Sequence, residues 1–515
     1  MRLLSPTTRA RLGRWLPPAL VGLAALALYV ATAAPGLTWA HDGADGGDLI
    51  TAALTGGVPH PSGYPTYCLL GRLFAVLPLG NPARRMNLFS AALAAASVTL
   101  VFLCARRLLE REGAARDGRV VLYSAGAALA YAVGPTLWSQ ATIAEVYALA
   151  AFCFALCLWL ALRAGDLKRT SGHAGRWAAL GLALGIGLGG HLTLLLALPG
   201  LAILLWPART PRRLLGLVSG AALGLVVYLY LPLAAARRPL LNWGDPRHWE
   251  GFIWLVSGRL YHSYAFGLPL HYLPARLAAW LSRWAAEFAG LGLALAVLGL
   301  WSGWERGQRR LVGASLLTLA LYSTYALAYN TTDSYVYLLP NYAVTALWLA
   351  VGLRALAESG AGTRSARLWR AAALVLALAL PVGALAGRYP AMNLRHERET
   401  TAWVDSVLAE LPSDALLVTG QDRHTFALEY ACWVEGRCGA VRVVDGELLG
   451  YAWYQSQLLR RYPELESQPP APTLEALVAQ QIRTRRVFIA SPRPGLEPDY
   501  QAIARGPLWE LVAQR

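Results

Sequence analysis

Three carboxylates, Asp42, Asp45 and Asp48, fall within seven residues in Trp39-Ala-His-Asp-Gly-Ala-Asp-Gly-Gly-Asp48, directly ahead of the apolar pair Leu49-Ile50. Asp45 and Asp48 are three apart, so a helix there sets both on one face. Acids crowded at the edge of an apolar phase repel each other, which raises one pKa toward the range of a general base. The competing reading is a solvated, glycine-rich acidic loop. The chain continues through Pro59-His60-Pro61-Ser62-Gly63-Tyr64-Pro65. Proline and glycine at this density prevent a spanning helix and set a rigid turn. That turn is expected to hold His60 and Tyr64 beside the acids. Glu145, in Ala144-Glu145-Val146-Tyr147, is a further acid at an apolar boundary. It can meet the aspartates, or simply cap the dipole of the helix that follows.

The elements that must position these groups follow from composition. The chain has 515 residues, 56% hydrophobic and 15% charged, where soluble proteins carry about 25% charged residues. So little polar surface cannot cover a water-soluble core of this size, which leaves a polytopic membrane protein. The net charge of +16 is nearly all arginine, clustered in short loops between apolar runs. Cytoplasmic loops of membrane proteins look this way, and no nucleic-acid partner is expected.

Apolar runs of about 20 residues cross a bilayer as helices. They fall at 17–34, 86–105, 119–136, 142–162, 177–190, 191–206, 214–234, 286–304, 311–328, 337–357 and 369–388. The arginine loops share one side only if 177–206 is a hairpin broken at Gly189-Gly190-His191. The predicted architecture is a membrane domain over 1–388 of about eleven transmembrane helices, with a cytoplasmic N-terminus and an uncleaved first helix. Its large outer loops are 35–85 and 235–285. Residues 389–515 form a separate extracytoplasmic domain. There, strands at 415–419, 441–445 and 486–490 and helices at 424–434 and 451–461 predict a small parallel α/β layer. No glycine-rich phosphate loop accompanies it. Cys432 and Cys438 either pair or stay as two thiols.

The segment Tyr67 to Leu79 is too short to span and fits an interfacial helix, with Arg72 available for a phosphate or simply snorkelling. Arg259 and Arg85 compete with it as the phosphate cation. His191 lies at the predicted helix break, and Asn242-Trp243-Gly244-Asp245-Pro246 opens the middle loop as a turn.

Taken together, these motifs resemble the bacterial relatives of the plexin-type protein O-mannosyltransferases, polytopic glycosyltransferases of the GT-C class. The resemblance rests on Trp39…Asp45-Gly-Gly-Asp48 and His60-Pro61-…-Gly63-Tyr64-Pro65, and more weakly on Gly71-Arg72-Leu73-Phe74, Asn81-Pro82, Arg85 with Asn87, and Ala144-Glu145-Val146-Tyr147. His191-Leu192-Thr193, Asn242-Trp243-Gly244-Asp245-Pro246 and Asp422-…-His424-Thr425-Phe426 extend it along nearly the whole chain. Family members show Trp-Asp-x-Gly-Glu in the first block. Setting Gly47-Asp48 on the Gly-Glu places the Asp on Asp45, while the residues inserted after Trp39 leave Asp42 eligible too.

The resemblance implies a GT-C-like fold and a sugar, mannose among the candidates, moved from a polyprenyl-phosphate donor to a protein hydroxyl or other acceptor at the extracytoplasmic face of a bacterial inner membrane. Asp45 is then the expected base, with Asp48, Glu145 and Asp42 as the other acids of the site. His60, Tyr64, Arg72, Tyr147, His191, Asn242, Trp243 and Asp245 are its expected substrate contacts. A divalent cation is an optional cofactor, since some GT-C enzymes use one. Partners are the lipid-linked donor, a protein or glycan acceptor and membrane lipids. A transporter or flippase of lipid-linked or sugar substrates is the rival reading, disfavoured by acids in outer loops and by the absence of a two-fold hydropathy repeat.

Overall fold

The computed structural model describes residues 6–111, 118–165, 173–466, 473–493, 496 and 499–514. Among the described residues, seven helices are long and apolar enough to cross a membrane: Trp15–Thr32, Pro82–Glu110, Tyr147–Ala164, Pro211–Ala236, Arg309–Ala328, Ser334–Glu358 and Ala366–Met392. Two bent pairs are apolar enough as well: Gly118–Ala132 with Pro135–Ala141, at 65°, and Leu270–Glu287 with Leu291–Glu305, at 91°. Shorter apolar helices cover Ala174–Leu188 and Leu192–Ala208, on either side of the expected break. Every apolar run read from the sequence overlaps one of these helices, and the chain is a multi-pass membrane protein.

Between helices in lipid there is little hydrophobic drive, so close backbone approach has to hold them. Gly181 and Gly185 supply it: a Cβ there would lie 2.0 Å from Leu217 O and 2.4 Å from Ala221 O of the facing helix.

The long loop over residues 35–85 is not a plain connection. It folds into a helix over Gly46–Thr55 and a second over Pro65–Phe74. The second buries Tyr67, Cys68 and Gly71 while exposing Leu69, Leu70 and Leu73, the two-sided pattern of an interfacial helix.

The C-terminal layer is a five-stranded sheet: β1 Leu416–Thr419, β2 Arg442–Asp445, β3 Val487–Ile489, β4 Tyr500–Arg505 and β5 Leu508–Ala513, in the order β2-β1-β3-β5-β4. The first three strands are parallel, as expected. The all-parallel expectation is corrected by β4 and β5, an antiparallel hairpin turning at Gly506-Pro507. Cys432 and Cys438 form a disulfide.

One apolar cluster ties this layer to the two long loops and the end of the Pro211–Ala236 helix, joining Leu416, Val418, Val444 and Ile489 to Ala52, Val58, Leu231, Leu241 and Trp243. The Asp422–Trp433 helix, which follows β1, lies against the Gly46–Thr55 helix. A Cβ on Gly47 would fall 2.2 Å from Phe426 O, a backbone atom that cannot swing aside. Gly47→Ala is therefore expected to lower stability by about 1–3 kcal/mol, the usual cost of overpacking. Thermal unfolding in detergent checks this, and an unchanged midpoint would contradict the close approach.

Candidate active site

The Gly46–Thr55 helix starts at Asp45, which occupies its N-cap position, and carries Asp48 in its first turn. Asp48 is fully buried. Its Oδ2 accepts from the backbone N–H of His60 at 3.0 Å and from His60 Nδ1 at 2.7 Å. Its Oδ1 accepts from Trp243 Nε1 at 2.9 Å. Both Asp48 oxygens are thereby committed, which makes Asp48 an anchor and leaves it little capacity to take a proton from a substrate. The other ring nitrogen of His60, Nε2, lies 3.5 Å from Asp45 Oδ2. Asp45 remains 34% accessible on its side chain, and the opening beside it is the cleft of the site.

The electrostatics follow from this chain of contacts. Burial pulls the His60 pKa down, but Asp45 and Asp48 more than offset it and carry it up to about 9. At neutral pH His60 is a cation with a proton on each nitrogen. Enclosure raises the Asp45 pKa, His60 opposes the rise, and Asp48 and Asp333 add to it. Asp45 is thus a carboxylate shifted toward basicity and held by a fixed cation.

Aromatic rings wall the site. His60 stacks on Phe426 at 6.0 Å between centroids and meets Tyr64 edge-on at 5.1 Å. Tyr261 lies 6.5 Å from the same ring. A second group continues the wall: His191 sits 6.0 Å from Tyr64, 5.6 Å from Tyr147 and 5.7 Å from Tyr337. Glu145 is buried, with the backbone amides of Val146 and Asp45 beside its carboxylate and no side-chain donor on either oxygen among the described residues. The Asp45 amide contact sets Glu145 against the start of the Gly46–Thr55 helix, at the site itself.

The structure therefore brings together Asp45, Asp48, His60, Tyr64 and Trp243, with Tyr147 and His191 in the adjoining wall. Other expected site residues have contacts of their own. Asp42 takes a positive φ of 62° and accepts from Tyr335 Oη at 2.7 Å. Asn242 donates to Asp245 Oδ1 at 3.0 Å, and Arg247 pairs with Asp245 at 2.5 Å. These two residues build the turn that carries Trp243. Arg72 is exposed beside Leu69 and Leu73 with its guanidinium against Gly56, the placement of a snorkelling arginine. Arg85 donates to the carbonyls of Ala75 and Gly80 at 2.9 and 3.0 Å and so caps the end of the Pro65–Phe74 helix. Arg259 is exposed two residues before Tyr261.

The sequence motifs include Asp422 and Phe426 but do not place the C-terminal layer in the site. Phe426 comes from the helix that follows β1, and so does Asp422, whose pKa is pushed up to about 6 by burial and by Asp45 and Asp445. Trp39 Nε1 donates to Arg423 O at 3.0 Å and joins the same helix to the first loop. The available signal was topological: the helix after β1 starts at the carboxyl end of a parallel strand, where open α/β sheets place their ligands. Among the described residues, no group of three His, Cys, Asp or Glu side chains converges to hold a metal ion, and no step below is routed through one.

Residues 45–213 match the family model described as the Protein O-mannosyl-transferase TMEM260 N-terminal domain. The Mus musculus Protein O-mannosyl-transferase TMEM260 is 26% identical over 453 residues, covering 82% of this chain and 62% of that protein. The chain thus spans about three fifths of the length of this relative. Among solved structures, ArnT from Cupriavidus metallidurans in the apo state aligns with a TM-score of 0.58 and 15% identity over 98% of both chains. The same ArnT bound to undecaprenyl phosphate gives 0.54 and 14% over 98% of both chains. The arabinofuranosyltransferase AftD from Mycobacteria gives 0.52 and 16%, over 98% of this chain and 40% of that one.

The fold is GT-C-like. The family match begins at Asp45 and takes in His60, Tyr64, Glu145, Tyr147 and His191, so the resemblance read from the motifs is borne out on the segment that carries most of the cleft.

Proposed function

We propose that the chain is a membrane glycosyltransferase that moves a sugar, mannose in the first instance, from a polyprenyl-phosphate donor to a protein hydroxyl or other acceptor. The reaction is placed at the extracytoplasmic face of a bacterial inner membrane, with the N-terminus cytoplasmic. The observation that carries the reading is the contact chain Asp48–His60–Asp45, which ends on an accessible carboxylate at the join between membrane helices and outer layer. The name of the mouse relative and the undecaprenyl phosphate bound to ArnT support the choice of sugar and donor.

Asp45 takes the proton of the acceptor hydroxyl as that oxygen attacks the anomeric carbon of the sugar. The bond from that carbon to the lipid phosphate breaks, and polyprenyl phosphate leaves. His60⁺ orients Asp45 and offsets the charge of the surrounding acids. The walls of Tyr64, Tyr261 and Phe426 flank the sugar and exclude water, which strengthens each electrostatic contact. The leaving phosphate needs a cation, and Arg259, near Tyr261, is better placed than Arg72. Arg259→Ala is expected to lower kcat/KM for the donor about tenfold, in line with loss of one charge-assisted hydrogen bond. Arg72→Ala stays near wild type; steady-state kinetics with varied donor separate the two.

The test of the reaction itself uses purified protein in liposomes with radiolabelled polyprenyl-phosphate mannose and a Ser/Thr-rich acceptor. Label is expected to move onto the acceptor. Label that crosses the bilayer still attached to its lipid would overturn the transferase reading in favour of a transporter.

A further inference from the structure

Glu287 is 1% exposed within a bent membrane helix pair, Leu270–Glu287 and Leu291–Glu305, and no step above uses it. A buried carboxyl at the boundary of an apolar span is costly unless it is hydrogen-bonded, so its partners are informative. Its Oε2 accepts from Thr136 Oγ1 at 3.0 Å and from Thr136 N at 3.4 Å. Thr136 lies in the first turn of Pro135–Ala141, the second arm of the other bent pair. Glu287 therefore sits at one helix break and satisfies the amide and hydroxyl exposed by the other. Arg388, near the end of the Ala366–Met392 helix, closes the arrangement. It donates to Val133 O at 2.7 Å at the first break, and to Ala286 O and Glu287 O at the second. Breaking a helix in lipid strands such groups, and neighbouring side chains must satisfy them.

The Pro135–Ala141 arm leads straight to the cleft. Trp138 Nε1 donates to Thr32 Oγ1 at 2.9 Å, and Thr142 O accepts from Ala34 N at 3.0 Å. Glu145 follows three residues later. On the other arm, the Arg283 guanidinium lies 3.5 Å over the Tyr335 ring, whose hydroxyl donates to Asp42. The two breaks thus meet at one point: the chain leaving the first runs to Glu145, and the Leu270–Glu287 arm touches Tyr335, the partner of Asp42.

We propose that Glu287, with Arg388, is a positioning residue: it latches the two broken helices together and so fixes the segment that presents Glu145 to the cleft. The proposal rests on the transferase reading only for its kinetic consequence; the latch itself is read without substrate.

The test is hydrogen exchange of residues 135–147 in Glu287→Ala, Glu287→Gln and Gly134→Ala, alongside transfer kinetics. Gly134→Ala keeps the carboxylate but displaces it, since a Cβ there would fall 2.2 Å from Glu287 Oε1. Expected are faster exchange over 135–147 in both alanine variants, unchanged exchange in β1 and β3, and wild-type exchange in Glu287→Gln, which retains an acceptor for Thr136. Transfer should lose kcat about tenfold or more in the alanine variants, with donor KM nearly unchanged and rescue by Gln, as for a reacting group moved by a fraction of an ångström. Should Glu287→Ala fail to fold, Gly134→Ala gives the same reading. Wild-type exchange over 135–147 in a folded alanine variant would overturn the latch. Altered exchange in a protein that transfers no sugar would sink only the transferase reading.

Discussion

Asp45→Asn is expected to lower kcat for sugar transfer by about 10²–10⁴-fold, the contribution of a positioned general base, while Asp42→Asn stays close to wild type. The contrast follows from where the two carboxylates point. Asp45 Oδ2 faces His60 Nε2 at 3.5 Å and opens on the cleft, whereas Asp42 is occupied by the Tyr335 hydroxyl at 2.7 Å. Asparagine keeps the size of the side chain at the N-cap position, where Asp45 makes no side-chain capping hydrogen bond to lose, so the fold of the Gly46–Thr55 helix survives and the loss is chemical. Single-turnover transfer by both variants, with folding checked by thermal unfolding, measures it. Equal loss in the two variants, or full activity of Asp45→Asn, would remove Asp45 from the role of base.

The second large effect is on stability. Asp48→Ala leaves His60 buried without its main partner and frees the Trp243 N–H, which is expected to cost about 3–5 kcal/mol at pH 7, as for a broken buried ion pair. The pH dependence identifies the cause. The folded pKa of His60, about 9, lies above the unfolded value of about 6.5. The stabilisation it brings is therefore complete below pH ~6.5 and is lost as pH rises through about 9; a shift of that size corresponds to about 3 kcal/mol. The gap in unfolding free energy between wild type and Asp48→Ala should narrow above pH 9, where His60 is neutral in both. A gap that is the same at pH 7 and above pH 9 would show that the His60 charge is not what Asp48 anchors.

Much of this was legible because the membrane imposes simple rules. Apolar length marked the spans, and the arginine loops required a break at Gly189-Gly190-His191, which the structure has between Ala174–Leu188 and Leu192–Ala208. The Pro-Gly run from Pro59 to Pro65 announced a turn near the acids, and His60 is indeed held by Asp48. The partners of that pair were not legible. Trp243 reaches Asp48 across 195 residues, and Phe426 comes from a layer whose docking no local pattern encodes. The helix bends escaped because an apolar run looks the same straight or bent. Glu287, an acid at the start of the run read as 286–304, was the mark that should have drawn notice. The β4–β5 hairpin escaped because β4 is largely exposed and lacks an apolar face to read, although Gly506-Pro507 is a turn signal.

The central claim is that Asp45 removes the proton of the acceptor and that His60⁺ sets its basicity. The pH–rate profile of single-turnover transfer, in wild type and His60→Gln, tests it most directly. Because enclosure raises the Asp45 pKa, the acidic limb of wild type should lie above the ~3.9 of an ordinary aspartate. Because His60 lowers that pKa, removing its charge should move the limb to still higher pH. A limb that stays where it is, or moves to lower pH, in a folded His60→Gln protein would contradict the account.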